Sequence, residues 1–336
     1  MIAEKTTILK RILTISIGML LVLIAAAVLG ISVGSAGGGF ETVIRSIFGK
    51  TVVDSSLEDI IWRIRMPRVV LAALVGAALS SGGLVFQALL RNPLAEPYIL
   101  GISGGAAIGA ISGILIGLSQ FPGVSVSSFI GSMMTLALLL MISSGRTILR
   151  KETLLLSGVM VNAFCSAVIM FLVSMTQDAR IHNIIFWLMG DLSLAGFKQV
   201  LLLAAVIIPG IAVIFWLSHV MNLLLLGQET AQSLGVNLKV VTVILLGTTS
   251  LMVSATVSQC GLLGFVGLVI PHLLRFVVGP DHRVLVPACV LGGGAYMIVC
   301  DVLARTLPRQ GEMPAGVITA IIGAPLFIFL LKKSVR

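Results

Sequence analysis

The chain is dominated by apolar stretches of roughly twenty residues, which recur from one end to the other. A helix of about twenty residues covers the roughly 30 Å hydrocarbon core of a bilayer. About ten stretches of this kind can be counted: 12–33, 69–90, 98–118, 124–143, 153–175, 199–217, 240–258, 262–279, 284–304 and 314–331. The pattern predicts an all-α fold, a polytopic membrane bundle of about ten transmembrane helices that forms one domain over residues 1–336.

The composition excludes an ordinary soluble domain. Hydrophobic residues make up 58% of the chain and charged residues only 10%, whereas soluble domains are roughly 25% charged. The net charge of +9 is typical of membrane topology and lipid headgroups rather than nucleic-acid binding.

Basic residues at both ends predict the orientation. Lys10 and Arg11 precede the first span, and Lys332 and Lys333 follow the last. By the positive-inside rule both termini lie in the cytoplasm. The first apolar run exceeds the 7–15 residues of a signal-peptide core, so we expect a retained span rather than a cleaved leader, although small residues at 34–36 resemble a cleavage site.

Motifs for enzyme chemistry are missing from the sequence. Gly49-Lys50-Thr51 resembles the end of a phosphate loop, but Ile44 stands where that loop needs glycine. The four histidines and four cysteines lack metal-ligand spacing. We therefore expect no enzyme activity, no resident metal and no cofactor.

Ionisable residues are scarce in the middles of the predicted spans. Asp301 lies near one end of its span, and His272 and Arg275 lie near the end of theirs. Ion-coupled carriers usually keep such groups at mid-membrane. The pattern favours an external energy source, with a secondary ion-coupled carrier as the alternative and a structural scaffold as a third class. Residues 91–97 predict a rigid cytoplasmic turn.

A polar segment interrupts the apolar sequence at Gly227–Gly235, within a stretch of about 221–237. It suits a water-soluble partner. Gln228 or Glu229 would make polar contacts, and Leu234 would act as a knob. Gly227 and Gly235 stand at the two ends of the segment, and Ala231 and Gly235 would allow close approach.

Two further features have open interpretations. Arg65, Arg68 and Arg305 cluster outside the membrane in this topology, where they either anchor headgroups or dock an acidic partner. Glycines recur at every fourth position of the third span, which indicates tight helix packing or a moving interface; they are Gly101, Gly105, Gly109, Gly113 and Gly117.

Several motifs together resemble the FecCD-type permeases, the membrane subunits of ABC importers for iron-siderophores, haem and vitamin B12. The matching segments cover nearly the whole chain: Arg65–Arg68, Asn92–Pro97, Leu100–Gly104, Leu154–Gly158, Trp187–Gly190, Gly227–Gly235, Gly264–His272, Asp281–Arg283, Gly316–Ala320 and Gly323–Pro325.

The resemblance implies a type II ABC importer permease in the cytoplasmic (inner) membrane. Two copies, or one copy and a close paralogue, would enclose the path, with two cytoplasmic ATP-binding subunits below and an extracytoplasmic substrate-binding protein above. Residues 227–235 would then be the helix that couples to the ATPase. Arg65, Arg68 and Arg305 would dock the binding protein.

The resemblance also implies an inner gate near the loop between the fourth and fifth spans. Lys151 and Glu152 stand there, where family members often have small hydroxyl residues. The transported chelate is left open by the sequence, with ferric siderophore first on the breadth of the family, followed by vitamin B12 and haem.

Overall fold

The computed structural model describes residues 2–33, 59–143, 151–176, 178–193, 195–308 and 311–334. Thirteen α-helices lie in these ranges. They are α1 Ile2–Ser32, α2 Met66–Leu90, α3 Ile102–Leu115, α4 Ser125–Ser143, α5 Lys151–Ser174, α6 Asp178–Met189, α7 Phe197–Trp216, α8 Ser218–Leu226, α9 Gln228–Ser233, α10 Leu238–Cys260, α11 Val266–Val278, α12 His282–Thr306 and α13 Ala315–Ser334. The Gly49–Thr51 segment lies outside the described residues.

Seven of these helices, with the helical turns that precede α2 and α4, are long and apolar enough to cross a membrane. They are α1, α2, α4, α5, α7, α10 and α12. Shorter apolar helices lie at Ile102–Leu115, Val266–Val278 and Ala315–Leu330. The predicted all-helical bundle with apolar spans is confirmed, and the count of about ten spans stays a prediction.

Helices α3 and α11 begin deep in the bundle instead of at its surface. With 14 and 13 residues, each is only about 20 Å long. Gly101, just before α3, packs against Val161 near the middle of α5. Phe265, just before α11, packs against Gly323 near the middle of α13. Both helices therefore start near the mid-depth of their neighbours.

The segments that lead into α3 and α11 contact each other. The Tyr98 hydroxyl lies 3.2 Å from both the backbone O and the backbone N of Leu263. Non-helical backbone at membrane depth is tolerated where protein covers it, and Leu100 and Leu263 are both buried. The predicted spans 98–118 and 262–279 included these segments because hydropathy does not distinguish a helix from an apolar non-helical chain.

The core of the bundle is formed by α2 and α12. In the most apolar 18-residue stretch of each helix, 83% of the residues of α2 and 67% of those of α12 are buried, against 6% for α1. Glycine makes the close packing possible, since a Cβ on Gly76 would lie 2.1 Å from the carbonyl oxygen of Gly293. A Cβ on Gly83 would likewise lie 1.7 Å from the oxygen of Gly267 in α11. Larger residues at these positions would separate the helices.

Candidate functional site

The polar segment at 227–235, hereafter the island, contains a separate short helix, α9, on the surface of the bundle. Glu229, Thr230, Gln232, Ser233 and Leu234 are exposed, and Leu234 is 59% accessible. Together they form an exposed polar face with one apolar side chain, hereafter the island face. Such a face suits a water-soluble protein more than lipid.

Glycines set the boundaries of this helix through their backbone angles. Gly227 has φ 129° and ψ 149°, and Gly235 has φ 86°; side-chain-bearing residues seldom adopt either conformation. A Cβ on Gly235 would meet no atom within 4 Å. Gly235 is therefore required for the turn and not for close packing within the chain.

Ala231 belongs to the opposite side of α9. Its side chain is fully buried in the core of this chain, and its backbone N–H donates to the Gly227 oxygen at 2.9 Å. The sequence placed Ala231 among the residues that a partner would approach. In the structure it attaches the island to the bundle, because only a small side chain fits beneath the helix.

The three predicted docking arginines lie at the opposite end of the bundle from α9. Arg65 and Arg68 lie at the start of the helix that includes α2, and Arg91 follows the end of α2, where its guanidinium approaches Gly227. The 25 residues of α2 span roughly 37 Å. The island face and the arginines therefore occupy two ends of one structure.

These arginines are buried: Arg65 and Arg68 are each 4% exposed, and Arg305 is 7% exposed. Nε of Arg68 lies 2.9 Å from Asp301, and its Nη1 lies 2.6 Å from Glu312. Nε of Arg305 lies 3.1 Å from Asp301. Asp301 thus pairs with two arginines in the interior, which satisfies charges that would otherwise be costly to bury.

Arg65 and Arg305 also hold the last turn of α1. Nη1 of Arg65 donates to the oxygen of Ile31 at 2.9 Å, and Nη2 of Arg305 donates to the oxygen of Gly30 at 3.1 Å. Free carbonyl groups at the end of a helix favour cations. The arginines therefore join α1, α2 and α12 within the chain, and their role in docking stays a prediction.

The predicted inner gate lies at the beginning of α5. The backbone of Lys151 and Glu152 forms the first turn of that helix. The loop that precedes them, 144–150, lies outside the described residues. The gate role of the two residues stays a prediction.

Three of the five periodic glycines face α4. A Cβ on Gly105, Gly109 or Gly113 would lie 1.9, 2.2 or 2.4 Å from an atom of α4. Gly101 and Gly117 flank α3 with positive φ values of 75° and 79°. The periodic pattern thus combines close helix packing with two turns.

Glu96 is a partly buried acidic group that the sequence did not predict. The sequence assigns it to a cytoplasmic turn, yet the following Pro97 packs against Gly82, which lies two helical turns inside the end of α2. The Glu96 side chain is partly buried and accepts a hydrogen bond from the backbone of Phe265. Neither proline nor charge in the motif signals that the turn folds inward.

Two of the cavities that the described residues line bear on the size of a possible ligand. One, of about 220 Å³, is lined by residues that include Gln120, Trp187, Asp191 and Gln259. The other, of about 450 Å³, is an apolar groove between α3, α4 and α5. Among the described residues there is no group of three or more His, Cys, Asp or Glu placed to hold a metal ion.

Known proteins resemble this chain over most of its length. The cobalamin import system permease protein BtuC of Halobacterium salinarum is 41% identical over 285 residues, which are 84% of this chain and 76% of that protein. The vitamin B12 import system permease protein BtuC of Salmonella arizonae is 40% identical over 283 residues, 83% of this chain and 84% of that protein.

A solved structure described as an inward-facing conformation of a metal-chelate type ABC transporter has a TM-score of 0.85 and 31% identity, covering 95% of this chain and 99% of its own. PsaBC from Streptococcus pneumoniae shares the fold at 15% identity with a TM-score of 0.55. The model of the FecCD transport family matches residues 20–333. The chain therefore belongs to the FecCD transport family.

Proposed function

We propose that this chain is the permease subunit of a binding-protein-dependent ABC importer that carries a large metal chelate into the cytoplasm. It is a transport subunit and not an enzyme, and a separate ATPase would supply the energy. The observation that carries the proposal is the exposed island face of α9, anchored by the buried Ala231. A polar surface of this kind gives a soluble ATPase a place to bind.

The two ends of the bundle fit opposite sides of the membrane. The island face would lie in the cytoplasm with both termini, and the arginine end would face the binding protein. In this arrangement α3, α11 and α13 complete the ten spans. The non-helical segments before α3 and α11 would complete these two crossings, since each helix alone is shorter than the hydrocarbon core.

Transport of a large chelate requires a second subunit. Pockets for drug-sized ligands measure roughly 300–1,000 Å³. One cavity has only about 220 Å³, and the other, of about 450 Å³, is a groove lined by exposed residues such as Met134 and Met141 and so does not enclose a ligand. Helix α5 carries large exposed apolar residues, among them Met160 and Phe164, which are 62% and 64% accessible. A second copy, or a close paralogue, packed beside α5 would enclose a larger path.

Cobalamin is the first substrate to test, because the relatives named above are cobalamin and vitamin B12 permeases. The sequence alone placed ferric siderophore first on the breadth of the family, and siderophore and haem remain the next candidates. Methionine-rich surfaces adapt to bulky ligands of varied shape, so the binding protein would set the choice.

A secondary carrier is the second candidate, and Glu96 is the observation that favours it. A carboxylate that faces the interior of a membrane bundle is a common ion-coupling group. In this chain, however, the hydrogen bond from Phe265 gives Glu96 a structural task at the start of α11.

Uptake in proteoliposomes tests the proposal. The chain is co-reconstituted with the ATPase subunit and the binding protein of its own system, and labelled cyanocobalamin is supplied with ATP inside the vesicles. We expect accumulation that requires ATP hydrolysis. Accumulation driven by an ion gradient alone and abolished by Glu96→Gln would instead identify a secondary carrier. ATP-driven uptake of a ferric siderophore or haem but not cobalamin would correct the substrate.

A further inference from the structure

Asn222 joins α8 to the beginning of α12. Its amide nitrogen donates to Oδ1 of Asp281 at 2.7 Å. Its amide oxygen accepts from the backbone N–H of His282 at 2.9 Å and lies 2.8 Å from Nδ1 of the same residue. Asn222 lies five residues before Gly227, so this contact is close to the island.

The chemistry of this contact requires an amide. Its oxygen faces donors on His282, while its nitrogen faces the carboxylate of Asp281. Asparagine carries an acceptor and a donor on one short side chain. Aspartate would place two carboxylates together, and leucine would leave buried polar groups unpaired.

Asp281 is itself fixed to α12. It is the N-cap of that helix and accepts from the backbone N–H of Arg283 at 3.0 Å. Its Oδ2 also lies 2.6 Å from Nη2 of Arg283. Asn222 therefore binds the N-terminal end of helix α12 and not a loop.

Helix α12 cannot slide easily along α2. The backbones meet at Gly76 and Gly293, and the Ser80 hydroxyl donates to the oxygen of Cys289 at 2.6 Å. At the far end, Asp301 of α12 pairs with Arg68 of α2. Close-packed interiors move as units rather than deform continuously.

We infer that Asn222 is a positioning residue that rigidly links the island to the α2–α12 pair, so that a displacement of the island moves this pair. The inference rests on the proposed function, since it takes the island to be the place where the ATPase acts. The competing route runs through the covalent connection from α9 into α10, where Asn237 caps the helix by accepting from Val240 N–H at 3.2 Å.

Exchange of two side chains tests the link. The variants are Asn222→Asp, Asp281→Asn and the two substitutions together. Asn222→Asp sets two carboxylates against each other, whereas the double variant restores one amide facing one carboxylate. Asn237→Asp is the matched control, because it makes the same substitution beside the island and aspartate is also a good N-cap.

The first readout is a distance between nitroxide labels on Leu225→Cys in α8 and Val299→Cys in α12, which are 45% and 40% exposed positions. It is measured in the complex with the ATPase, diluted with unlabelled chain, with and without ATP. A rigid link keeps the wild-type distance unchanged by ATP. We expect it to change with ATP in Asn222→Asp and to be constant again in the double variant and in Asn237→Asp.

The second readout is the ATP hydrolysed per cyanocobalamin delivered, which we expect to rise about fivefold in Asn222→Asp and to recover in the double variant. A wild-type distance that changes with ATP, or an Asn222→Asp complex as rigid as the wild type, would overturn the inference. Because the distance needs no substrate, failure of wild-type uptake would count against the proposed function alone.

Discussion

Nε of Arg68 lies 2.9 Å from Oδ1 of Asp301, and the two side chains are only 5% and 1% exposed. An isolated charge at such a position would be strongly unfavourable. Asp301 also pairs with Arg305, so a single carboxylate holds two buried cations. The contact between Arg68 and Asp301 joins α2 to α12 at the end of the bundle where the three arginines lie.

Removal of Asp301 is expected to be strongly destabilising. Asp301→Ala leaves Arg68 and Arg305 with less compensation, and loss of one partner of a buried pair typically costs about 3–5 kcal/mol. The matched control is Glu312→Ala. Glu312 pairs with the same arginine but is 40% exposed, so we expect a loss below about 1 kcal/mol. Thermal unfolding in detergent measures both, and equal losses would contradict the ranking.

The docking role of the arginines can be separated from their structural role. Arg65 and Arg305 bind the carbonyl groups of α1, so the double substitution to alanine should lower the melting temperature. If they also dock the binding protein, its stimulation of ATP hydrolysis should fall in the folded fraction. Arg63→Ala is the control, because Arg63 is exposed and pairs with Asp59 one helical turn away, which is also exposed. Normal stimulation in the folded double variant would reject docking.

Much of the fold follows from hydropathy, because a continuous apolar run of twenty residues has few alternatives to a spanning helix. The shortened α3 and α11 do not follow, since residues 98–101 and 262–265 are as apolar as the helices they precede. Packing of Tyr98 against Leu263 decides their conformation, and such a contact between distant segments has no local signal.

The candidate sites, like the fold, are only partly predicted by the sequence. The island was visible as a polar interruption, but the inward direction of Ala231 depends on the rotation of α9 against the bundle. The arginines were visible as a basic cluster, yet Asp301 lies 233 residues from Arg68 in sequence. The pattern of charges along the chain therefore identifies these residues as candidate site residues. It does not predict whether their side chains face solvent or each other.

Opposite faces of α9 should respond differently to substitution. Ala231→Leu inserts a large side chain into a fully buried position, and overpacking costs about 1–3 kcal/mol. Leu234→Ala removes an exposed side chain, so stability should be nearly unchanged while binding to the ATPase weakens. Thermal unfolding and co-purification of the two subunits distinguish the effects. If both variants bind the ATPase as well as the wild type does, the island face is not part of the interface.

Glycine contacts between α2 and α12 should be intolerant of even one methyl group. A Cβ on Gly293 would lie 2.2 Å from the Ser80 hydroxyl oxygen and 2.5 Å from the Gly76 carbonyl oxygen, so Gly293→Ala must separate the helices. Gly247→Ala is the control, because a Cβ there meets no atom within 4 Å. Alanine favours a helix by about 0.5–1 kcal/mol over glycine, so the control should be neutral or stabilising. Thermal unfolding measures the loss of stability in both variants. Equal losses would contradict the close contact between α2 and α12.

The contact between Asn222 and Asp281 should give the protein a distinct response to acid. Burial alone would raise the pKa of Asp281, but hydrogen bonds from Arg283 and Asn222 outweigh it and lower the pKa to about 2. A carboxyl group whose pKa is lowered on folding adds stability above its unfolded pKa, and that stability is lost as pH falls through the folded pKa. For Asp281 the pH window runs from about 4, the ordinary pKa of aspartate, down to about 2.

Asn222→Ala removes one of the hydrogen bonds to Asp281, so the pKa of Asp281 should rise and the pH window should narrow. Melting temperatures measured from pH 6 to pH 2 should then show a difference between wild type and variant that is constant above the window and shrinks within it. A difference that stays the same at every pH would show that Asn222 acts on packing alone and not on the Asp281 carboxylate.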